Sequence, residues 1–454
     1  MTQKIKISLP SKETTSTSLN SDQENSQIKS QEQKSKIVLK NTQISNLPPN
    51  KPPEKRTVDF DNIVVTPVRD PVKYLDTLLA HCVKNKISDI HIEPYEKCLR
   101  IRVREDGELS EYGIIDSEIS LQLIARVKVL AQLDISEKRK QQDGRIKINI
   151  EKKDIDFRVS ILPVLYGEKV VLRLLDSSNL QMNFNHLGFD EKQTEIIYKA
   201  ISRPYGLCLV TGPTGSGKST TLYSMLVKLN SRDANLCTVE DPVEFNLPGI
   251  NQVNVRMDAG LTFAGALKTI LRQDPDVIMI GEIRDKAVAE IAIEAALTGH
   301  IVLSTMHTND VVSTITRLIN LDIDAILIAS ALNVIIAQRL CRKICSSCKE
   351  VDTSITPENF VEYGFSKEEA EKIIPYKGAG CAHCNFTGYK GRIGIYEVAE
   401  VSAEFKRLVI NKMPEQALLE QIAAEGMATL KMDAFEKVAR GLITVQEALS
   451  NTRS

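Results

Sequence analysis

The chain has 454 residues, too many for one ordinary hydrophobic core, so its length predicts two or three domains. Hydrophobic residues make up 42% and charged residues 26%, which is the balance of a globular protein rather than of a disordered or membrane-spanning one. The 58 Lys and Arg against 59 Asp and Glu give a net charge of -1, which argues against a general nucleic-acid binder. We therefore expect no direct contact with nucleic acid.

Neither the N-terminus nor the longest apolar region predicts a membrane anchor. The sequence MTQKIKISLPSKETT lacks the apolar run of a secretory signal. The apolar region 325–337 is interrupted by Ser330 and Asn333 and is too short to cross a bilayer. We expect a cytoplasmic protein whose contact with the membrane is made only through partners.

The first part of the chain divides into a tail and a small domain. Residues 1–56 are polar and predict a disordered tail, because few apolar side chains are present to offset the entropy of ordering. Residues 57–176 predict an α+β domain. Helical spacing of apolar residues covers 71–85 and 117–133, and alternating segments predict strands around them. In LRIRVREDGEL we expect the chain to turn at Asp106-Gly107 between two extended segments.

A linker around 177–185 leads into a second domain, 177–400, in which apolar strand-like runs alternate with amphipathic helices. The buried strand candidates are 207–211, 236–239, 277–280 and 301–304. This alternation predicts an α/β fold with a mainly parallel sheet covered by helices. Residues 401–454 predict a C-terminal helical segment packed on this domain.

The strongest motif, GPTGSGKST, directly follows the first of these strands and fits a phosphate-binding loop. Backbone N–H groups of such a loop surround phosphates, and the next helix adds its positive end. Lys218 supplies charge to the β and γ oxygens, and the Ser219 hydroxyl is placed to coordinate Mg²⁺. We predict an ATP site with Mg²⁺, formed by Gly212, Pro213, Thr214, Gly215, Ser216, Gly217, Lys218, Ser219 and Thr220.

Acidic and histidine side chains follow the later strands. Glu240, Glu244 and Glu282 lie at the predicted carboxyl ends of strands, where an open α/β sheet binds its ligands. Gly281 stands where a Walker B strand usually ends in Asp, and Glu282 follows it. His307 comes after the next strand and predicts a contact to the γ-phosphate or to water. A solvated strand end, or a histidine with a structural role, is the alternative at each position.

The order of GPTGSGKST, TVEDPVE, LRQDPDVIMIGEIRD and TGHIVLSTMHTND resembles the secretion ATPase superfamily, type II secretion protein E-like, which serves type II secretion, type IV pili and DNA uptake. SDIHIEP, QQDGR and LPVLYGEKVVLRLLD resemble the smaller domain that precedes the motor in that family. The resemblance implies a RecA-like motor domain, a homohexamer and inner-membrane platform proteins as partners. It also implies that Arg158 and Arg173, with Arg145 as a weaker candidate, reach toward the nucleotide. A solvated strand face is the alternative for these arginines.

Two Cys-x-x-Cys pairs, Cys345 with Cys348 and Cys381 with Cys384, predict a closed Zn²⁺ site within an element at 341–392. Redox-active or merely buried thiols are the alternative. Assembly ATPases of the family that this chain resembles commonly carry such a tetracysteine element, whereas retraction motors generally lack it. That resemblance favours assembly over disassembly.

Together these features predict an ATPase motor that drives assembly of a pilus or pseudopilus. Lys218 and Mg²⁺ would hold the phosphates, Glu244 and Glu282 would polarise water or organise the metal shell, and Glu240 would assist. The alternatives are a non-hydrolysing ATP-binding scaffold and a competence-type DNA-uptake ATPase. We favour the enzyme, because a scaffold would not need these acids together with His307.

Overall fold

The computed structural model describes residues 66–150, 153–175, 184–363 and 367–452. The tail predicted at 1–56 and most of the linker predicted at 177–185 lie outside these residues. The described chain forms a six-stranded sheet, a seven-stranded sheet and a small two-stranded sheet. The predicted α/β class, with a smaller α+β unit before a mainly parallel sheet, is confirmed. Among the described helices, none is both long and apolar enough to cross a bilayer.

The N-terminal domain contains the six-stranded sheet. Its strands are β1 (Asp89–Pro94), β2 (Cys98–Glu105), β3 (Glu108–Asp116), β4 (Gln142–Ile150), β5 (Lys153–Val164) and β6 (Gly167–Leu175). They lie in the order β3-β2-β1-β6-β5-β4, and each neighbouring pair is antiparallel. Helices α1 (Pro71–Lys84) and α2 (Ser120–Ala131) place their apolar faces in the same core as the sheet.

Local sequence explains where these elements begin and end. The Asp70 side chain accepts hydrogen bonds from the first turn of α1, and Pro71 occupies the first helical position. The region predicted as one helix at 117–133 begins as a 3₁₀ turn at Ser117–Ile119 and ends where Gln132 adopts a left-handed conformation. The predicted turn between β2 and β3 is confirmed, with positive φ at Asp106 and Gly107 as a two-residue hairpin requires.

The seven-stranded sheet contains the predicted strands together with others that the sequence analysis missed. Its strands are β7 (Gly206–Thr211), β8 (Leu236–Glu240), β9 (Asn251–Asn254), β10 (Val277–Ile280), β11 (Ile301–Met306), β12 (Leu332–Ile344) and β15 (Tyr389–Glu400). The order is β15-β12-β7-β11-β10-β8-β9, and only the β12–β15 pair is antiparallel. Every residue of β7, β8, β10 and β11 is buried, as expected of strands covered by helices on both faces.

Helices cover this sheet and complete its two cores. They are α3 (Phe184–Leu187), α4 (Glu191–Ile201), α5 (Lys218–Leu229), α6 (Phe263–Ile270), α7 (Lys286–Leu297), α8 (Val311–Asn320) and α9 (Ala325–Ala331). The apolar region 325–337 is divided between α9 and β12, which explains why its pattern fits neither a single helix nor a single strand. β12 follows α9 without an intervening loop, so the sequence contains no turn signal between them.

Between β12 and β15 the chain forms the tetracysteine element, and after β15 it ends in helices. The element contains β13 (Lys349–Val351), α10 (Pro357–Glu362), α11 (Lys367–Ala370) and β14 (Tyr376–Gly378). The C-terminal helices are α12 (Ala403–Ile410), α13 (Glu415–Ala424), α14 (Leu430–Ala439) and α15 (Val445–Thr452). Helices α14 and α15 share a core with Cys341 and Ile395 of the sheet, so the C-terminal segment packs on the second domain.

A buried ion pair fixes α14 to the sheet. Asp433 accepts a hydrogen bond from the backbone N–H of Tyr396 at 2.8 Å and pairs with Lys437 at 2.5 Å. Both charged side chains are 2% exposed. Removing one partner from such a pair leaves a buried charge without compensation, which costs far more than the pair itself contributes.

We therefore expect Asp433→Ala to lower the free energy of unfolding by about 3–5 kcal/mol, as is typical when one partner of a buried pair is removed. Urea denaturation followed by circular dichroism measures the change. Glu436→Ala, at an exposed position of the same helix, is the matched control and should cost less than about 0.5 kcal/mol. Equal losses in the two variants would contradict a special role for the buried pair.

Candidate functional site

The phosphate-binding loop lies between the end of β7 at Thr211 and the start of α5 at Lys218. Gly212, Gly215 and Gly217 all have positive φ. A Cβ on Gly212 would lie 2.4 Å from the carbonyl oxygen of Gln338, so this position excludes any side chain. The loop geometry therefore depends on glycine for both backbone conformation and space.

The Lys218 side chain folds back onto this loop and binds its backbone. Its Nζ donates hydrogen bonds to the carbonyl oxygens of Gly212 at 2.9 Å and Pro213 at 3.0 Å. Burial lowers the pKa of Lys218, whereas the nearby charge of Glu282 raises it. The ammonium thus lies against the backbone of the loop, and its predicted role on the phosphates stays a prediction. Ser219, the predicted magnesium ligand, follows it and is exposed.

Gln338 on β12 holds the loop from the neighbouring strand, a role that the sequence analysis missed. Its Nε2 donates to the carbonyl oxygen of Ser216 at 2.7 Å, and its Oε1 accepts from the hydroxyl of Thr221 at 2.8 Å. The side chain is 2% exposed. One signal was present in the sequence: a lone amide in the apolar run VIIAQRL, which must find partners when buried.

Glu240 ends β8 and points into a network of protein donors. Its carboxylate accepts hydrogen bonds from Thr238 Oγ1 at 2.6 Å, from Gln252 Nε2 at 3.1 Å and from the hydroxyl of Tyr223. The same tyrosine oxygen accepts from the backbone N–H of Glu244 at 3.3 Å. Glu240 is therefore satisfied within the protein and connects helix α5 to the loop that carries Glu244.

Glu282, Arg284 and His307 meet next to Lys218. Glu282 Oε2 lies 2.9 Å from His307 Nε2, and Glu282 also pairs with Arg284. Burial alone would raise the pKa of Glu282, but Arg284 and then His307 outweigh it, so the pKa is lowered. The carboxylate therefore stays ionised near the Lys218 ammonium. The structure thus brings together two residues, Glu282 and His307, that the sequence singles out separately.

Glu244 faces positive charge from the N-terminal domain of its own chain. Burial raises the pKa of Glu244, and the charges of Arg173, Arg158 and Arg145 oppose that rise. In the sheet, Arg173 lies opposite Arg158, which lies opposite Arg145, so these arginines form a row across β6, β5 and β4. The predicted arginines therefore lie near the predicted acid Glu244 of the same chain.

The arginine row is unusual because like charges directly opposite one another destabilise a sheet. Asp89 relieves part of this repulsion, since its Oδ1 accepts from Arg173 Nε at 2.8 Å. Arg158 and Arg145 form no ion pair with any other residue that the structure describes. Unpaired positive charge at this place is suited to binding an anion such as a phosphate.

The predicted cysteines converge in the tetracysteine element. The Sγ atoms of Cys345 and Cys381 lie 3.9 Å apart, and Cys384 Sγ lies 3.8 Å from those of Cys348 and Cys381. Four thiolates around one Zn²⁺, each at a Zn–S distance of 2.3 Å, would be separated by about 3.8 Å. Backbone N–H groups of Cys381 and Gly388 donate to Cys384 Sγ, as suits a thiolate. The cluster therefore fits the ion.

Close contact of two glycine backbones supports this arrangement. A Cβ on Gly378 would lie 2.0 Å from the carbonyl oxygen of Gly388, and a Cβ on Gly388 would lie 2.5 Å from the carbonyl oxygen of Gly378. Gly378 ends β14, and Gly388 immediately precedes β15. The glycines let the segment before the second cysteine pair cross the segment after it, a requirement that the cysteine spacing does not reveal.

The sequence matches the family described as Type II/IV secretion system protein over residues 68–450. The chain belongs to this family. It is 48% identical over 382 residues to the type IV pilus assembly ATPase PilB of Myxococcus xanthus, covering 84% of this chain and 68% of that one. It is 44% identical over 382 residues to the type II secretion system ATPase E of Vibrio cholerae, covering 84% of this chain and 75% of that one.

The solved structure of the pilus retraction motor PilT with bound ADP superposes with a TM-score of 0.57 at 26% identity. The alignment covers 83% of this chain and 96% of PilT. The predicted family and the predicted ATPase class are confirmed by these relatives. The roles of individual site residues remain predictions.

The raised pKa of Glu244 predicts how activity depends on pH. If ionised Glu244 accepts a proton from water, ATP hydrolysis should decline as the pH falls through that raised pKa. Arg158→Ala removes a charge that lowers the pKa, so the acidic decline should move to higher pH, and kcat should fall by about a hundredfold. Arg158→Lys, which keeps the charge, should leave the decline in place. A pH profile of kcat/KM that is unchanged in Arg158→Ala would contradict this arrangement.

Proposed function

We propose that this chain is a motor that hydrolyses ATP to drive assembly of a pilus or pseudopilus through an inner-membrane platform. The observation that supports the proposal is the charge around two predicted acids, Glu282 and Glu244. Ionised Glu282 lies near Lys218, and Glu244 faces the positive charge of the arginine row. A non-hydrolysing scaffold would need the phosphate-binding loop but would gain nothing from Glu244 and the arginine row.

In this proposal each side chain of the site has one part in hydrolysis. Lys218 exchanges its hydrogen bonds to loop carbonyls for bonds to the β and γ oxygens of ATP. Ser219 and the nearby Glu282 would hold Mg²⁺, which would neutralise charge on the phosphates. Glu244 orients the attacking water and takes its proton, while Arg158 and Arg173 oppose the charge that develops on the phosphoryl group. Glu240 positions the Glu244 loop through Tyr223.

Two further features support assembly as the direction of work and a ring as the working state. The chain is 48% identical to a pilus assembly ATPase and 26% identical to a retraction motor. At the tip of the β5–β6 hairpin, Leu165 is 87% exposed beside the exposed Leu162 and Tyr166. Such an apolar patch suits packing against a second copy. We propose a cytoplasmic homohexamer that reaches the inner membrane through platform proteins.

We propose that Cys345, Cys348, Cys381 and Cys384 hold a structural Zn²⁺. All tetrahedral positions would be filled by thiolates, so the ion would have no open position for substrate. Cys345 directly follows β12, and Cys384 lies shortly before β15, so the ion would join the ends of two paired strands. Its contribution would be to the stability of this part of the domain.

Lys218→Ala should abolish ATP hydrolysis with the fold retained, because it removes the main charge on the phosphates. We expect at least a thousandfold loss of steady-state phosphate release, of the order seen when a principal phosphate charge is removed. Lys228→Ala, an exposed lysine on the same helix, is the matched control and should keep the wild-type rate. A wild-type chain that binds ATP without releasing phosphate would instead favour the scaffold.

Elemental analysis of purified, chelator-free protein should find about one zinc per chain. Cys381→Ser should lose the metal and unfold at lower temperature, because the element loses the ion that joins its two ends. Cys98→Ala removes a buried cysteine elsewhere and should keep the zinc. A metal content below about half an equivalent in the wild type would overturn the assignment.

A further inference from the structure

The N-terminal domain contacts the tetracysteine element through the tip of the β2–β3 hairpin, residues 105–108, called here the hairpin tip. Glu105 accepts hydrogen bonds from Lys390 Nζ at 2.8 Å and from Asn385 Nδ2 at 3.1 Å. Asp106 Oδ2 accepts from the backbone N–H of Gly391 at 2.6 Å. Two acidic side chains of one domain are thus bound by donors of the other.

The donors that bind the hairpin tip are positioned by the cysteine cluster. Asn385 directly follows Cys384, and its left-handed conformation, with φ of 50°, ends the 3₁₀ turn Ala382–Cys384. The next residue, Phe386, donates its backbone N–H to the carbonyl oxygen of Cys381 at 2.9 Å. Lys390 and Gly391 follow on β15. The direction of the Asn385 side chain therefore depends on the geometry of the Cys381–Cys384 pair.

Charge and burial make this contact more than a loose surface pairing. Glu105 and Lys390 side chains are only 22% and 30% exposed, so water screens their attraction less than it does at an open surface. A second cation, Arg342, lies 3.8 Å from Glu108. Arg342 is itself held by Glu447 at 2.6 Å and by the ring of Tyr389 at 4.2 Å. The surface that receives the hairpin tip is therefore positive, and contacts within its own domain hold Arg342 in place.

The hairpin tip is joined to the arginine row by consecutive cross-strand pairs. Arg104, one residue before the tip, lies opposite Asp89 on β1, and Asp89 lies opposite Arg173 on β6. Arg173 in turn lies opposite Arg158. At the usual strand spacing, the distance from β2 to β5 is about 14 Å across a hydrogen-bonded sheet. Because such a sheet moves as a unit, the position of its hairpin tip sets where Arg158 lies.

We propose that the tetracysteine element is an interdomain latch, which holds the hairpin tip and thereby keeps Arg158 and Arg173 beside Glu244 at the nucleotide site. Glu105, Asp106, Asn385 and Lys390 are positioning residues of this latch. The inference rests on the proposed hydrolysis for its effect on rate but not for the contact itself. In this proposal the cysteine cluster affects catalysis without contacting the phosphates, because it fixes the position of the N-terminal domain.

The test reverses one charge and then restores the pair. Lys390→Glu places a carboxylate against Glu105, and we expect kcat to fall about tenfold while KM changes less than about twofold, since the phosphate-binding loop is untouched. Glu105→Lys alone should do the same. The double variant, Glu105→Lys with Lys390→Glu, should recover most of the lost rate. Lys367→Glu makes the same charge change in the tetracysteine element away from the hairpin and should behave as wild type.

Hydrogen–deuterium exchange tests the latch without hydrolysis. Lys390→Glu should speed exchange in peptides covering 105–108 and 385–391 with zinc content unchanged, and the double variant should restore protection. Treating the wild-type chain with a zinc chelator should expose 105–108 in the same way. Unchanged exchange in Lys390→Glu, or a double variant that recovers neither protection nor rate, would overturn the latch. If the variants show the expected exchange but the wild-type chain releases no phosphate, the proposed function is wrong. The contact between the domains would still be supported.

Discussion

The position of β12 beside β7 is the constraint on which the two sites of this chain depend. Along this one strand, Gln338 binds the phosphate-binding loop, Arg342 faces Glu108 of the hairpin, and Cys345 follows at the strand's end. At about 3.3 Å per residue, the seven positions from Gln338 to Cys345 span about 23 Å of continuous, hydrogen-bonded backbone. β12 pairs with β7 up to Ala337 and with β15 up to Ile344, with one irregularity between Arg342 and Ile344, so most of this length is hydrogen-bonded on at least one side. One strand therefore connects the candidate nucleotide site to the cysteine cluster, and the N-terminal domain contacts both regions.

Three glutamates of the site differ in their surroundings, and this difference separates their roles. Glu240 is satisfied by protein donors and holds a loop in place. The pKa of Glu282 is lowered, so its pairing with Arg284 contributes stability at neutral pH that is lost as pH falls through the lowered pKa. The pKa of Glu244 is raised, so keeping it ionised at neutral pH costs stability, a cost relieved as pH falls through the raised pKa. A carboxylate with a pKa raised by burial in this way is typical of an acid or base that takes part in catalysis.

The parts of the structure that were predictable from sequence are those encoded locally. The phosphate-binding loop, the buried strands and the Asp106-Gly107 turn are specified by short patterns, and the cysteine pairs by spacing alone. Gln338 was missed because its role depends on strand order, which places a distant segment next to β7. The arginine row came only from family resemblance, since register between β4, β5 and β6 decides which side chains share a face. Tyr223 was missed for a similar reason, because only the folded chain brings helix α5 to Glu240.

The crossing of Gly378 and Gly388 has a consequence for how this element tolerates sequence change. Each glycine would place a Cβ less than 3 Å from the other's backbone, and backbone cannot rotate aside as a long side chain can. Substitution at either position would therefore force the two segments apart even with every cysteine intact. In a saturation mutagenesis scan, these glycines should be as intolerant of substitution as the four cysteines. The geometry of the cysteine cluster thus constrains more of the sequence than the residues that would touch an ion.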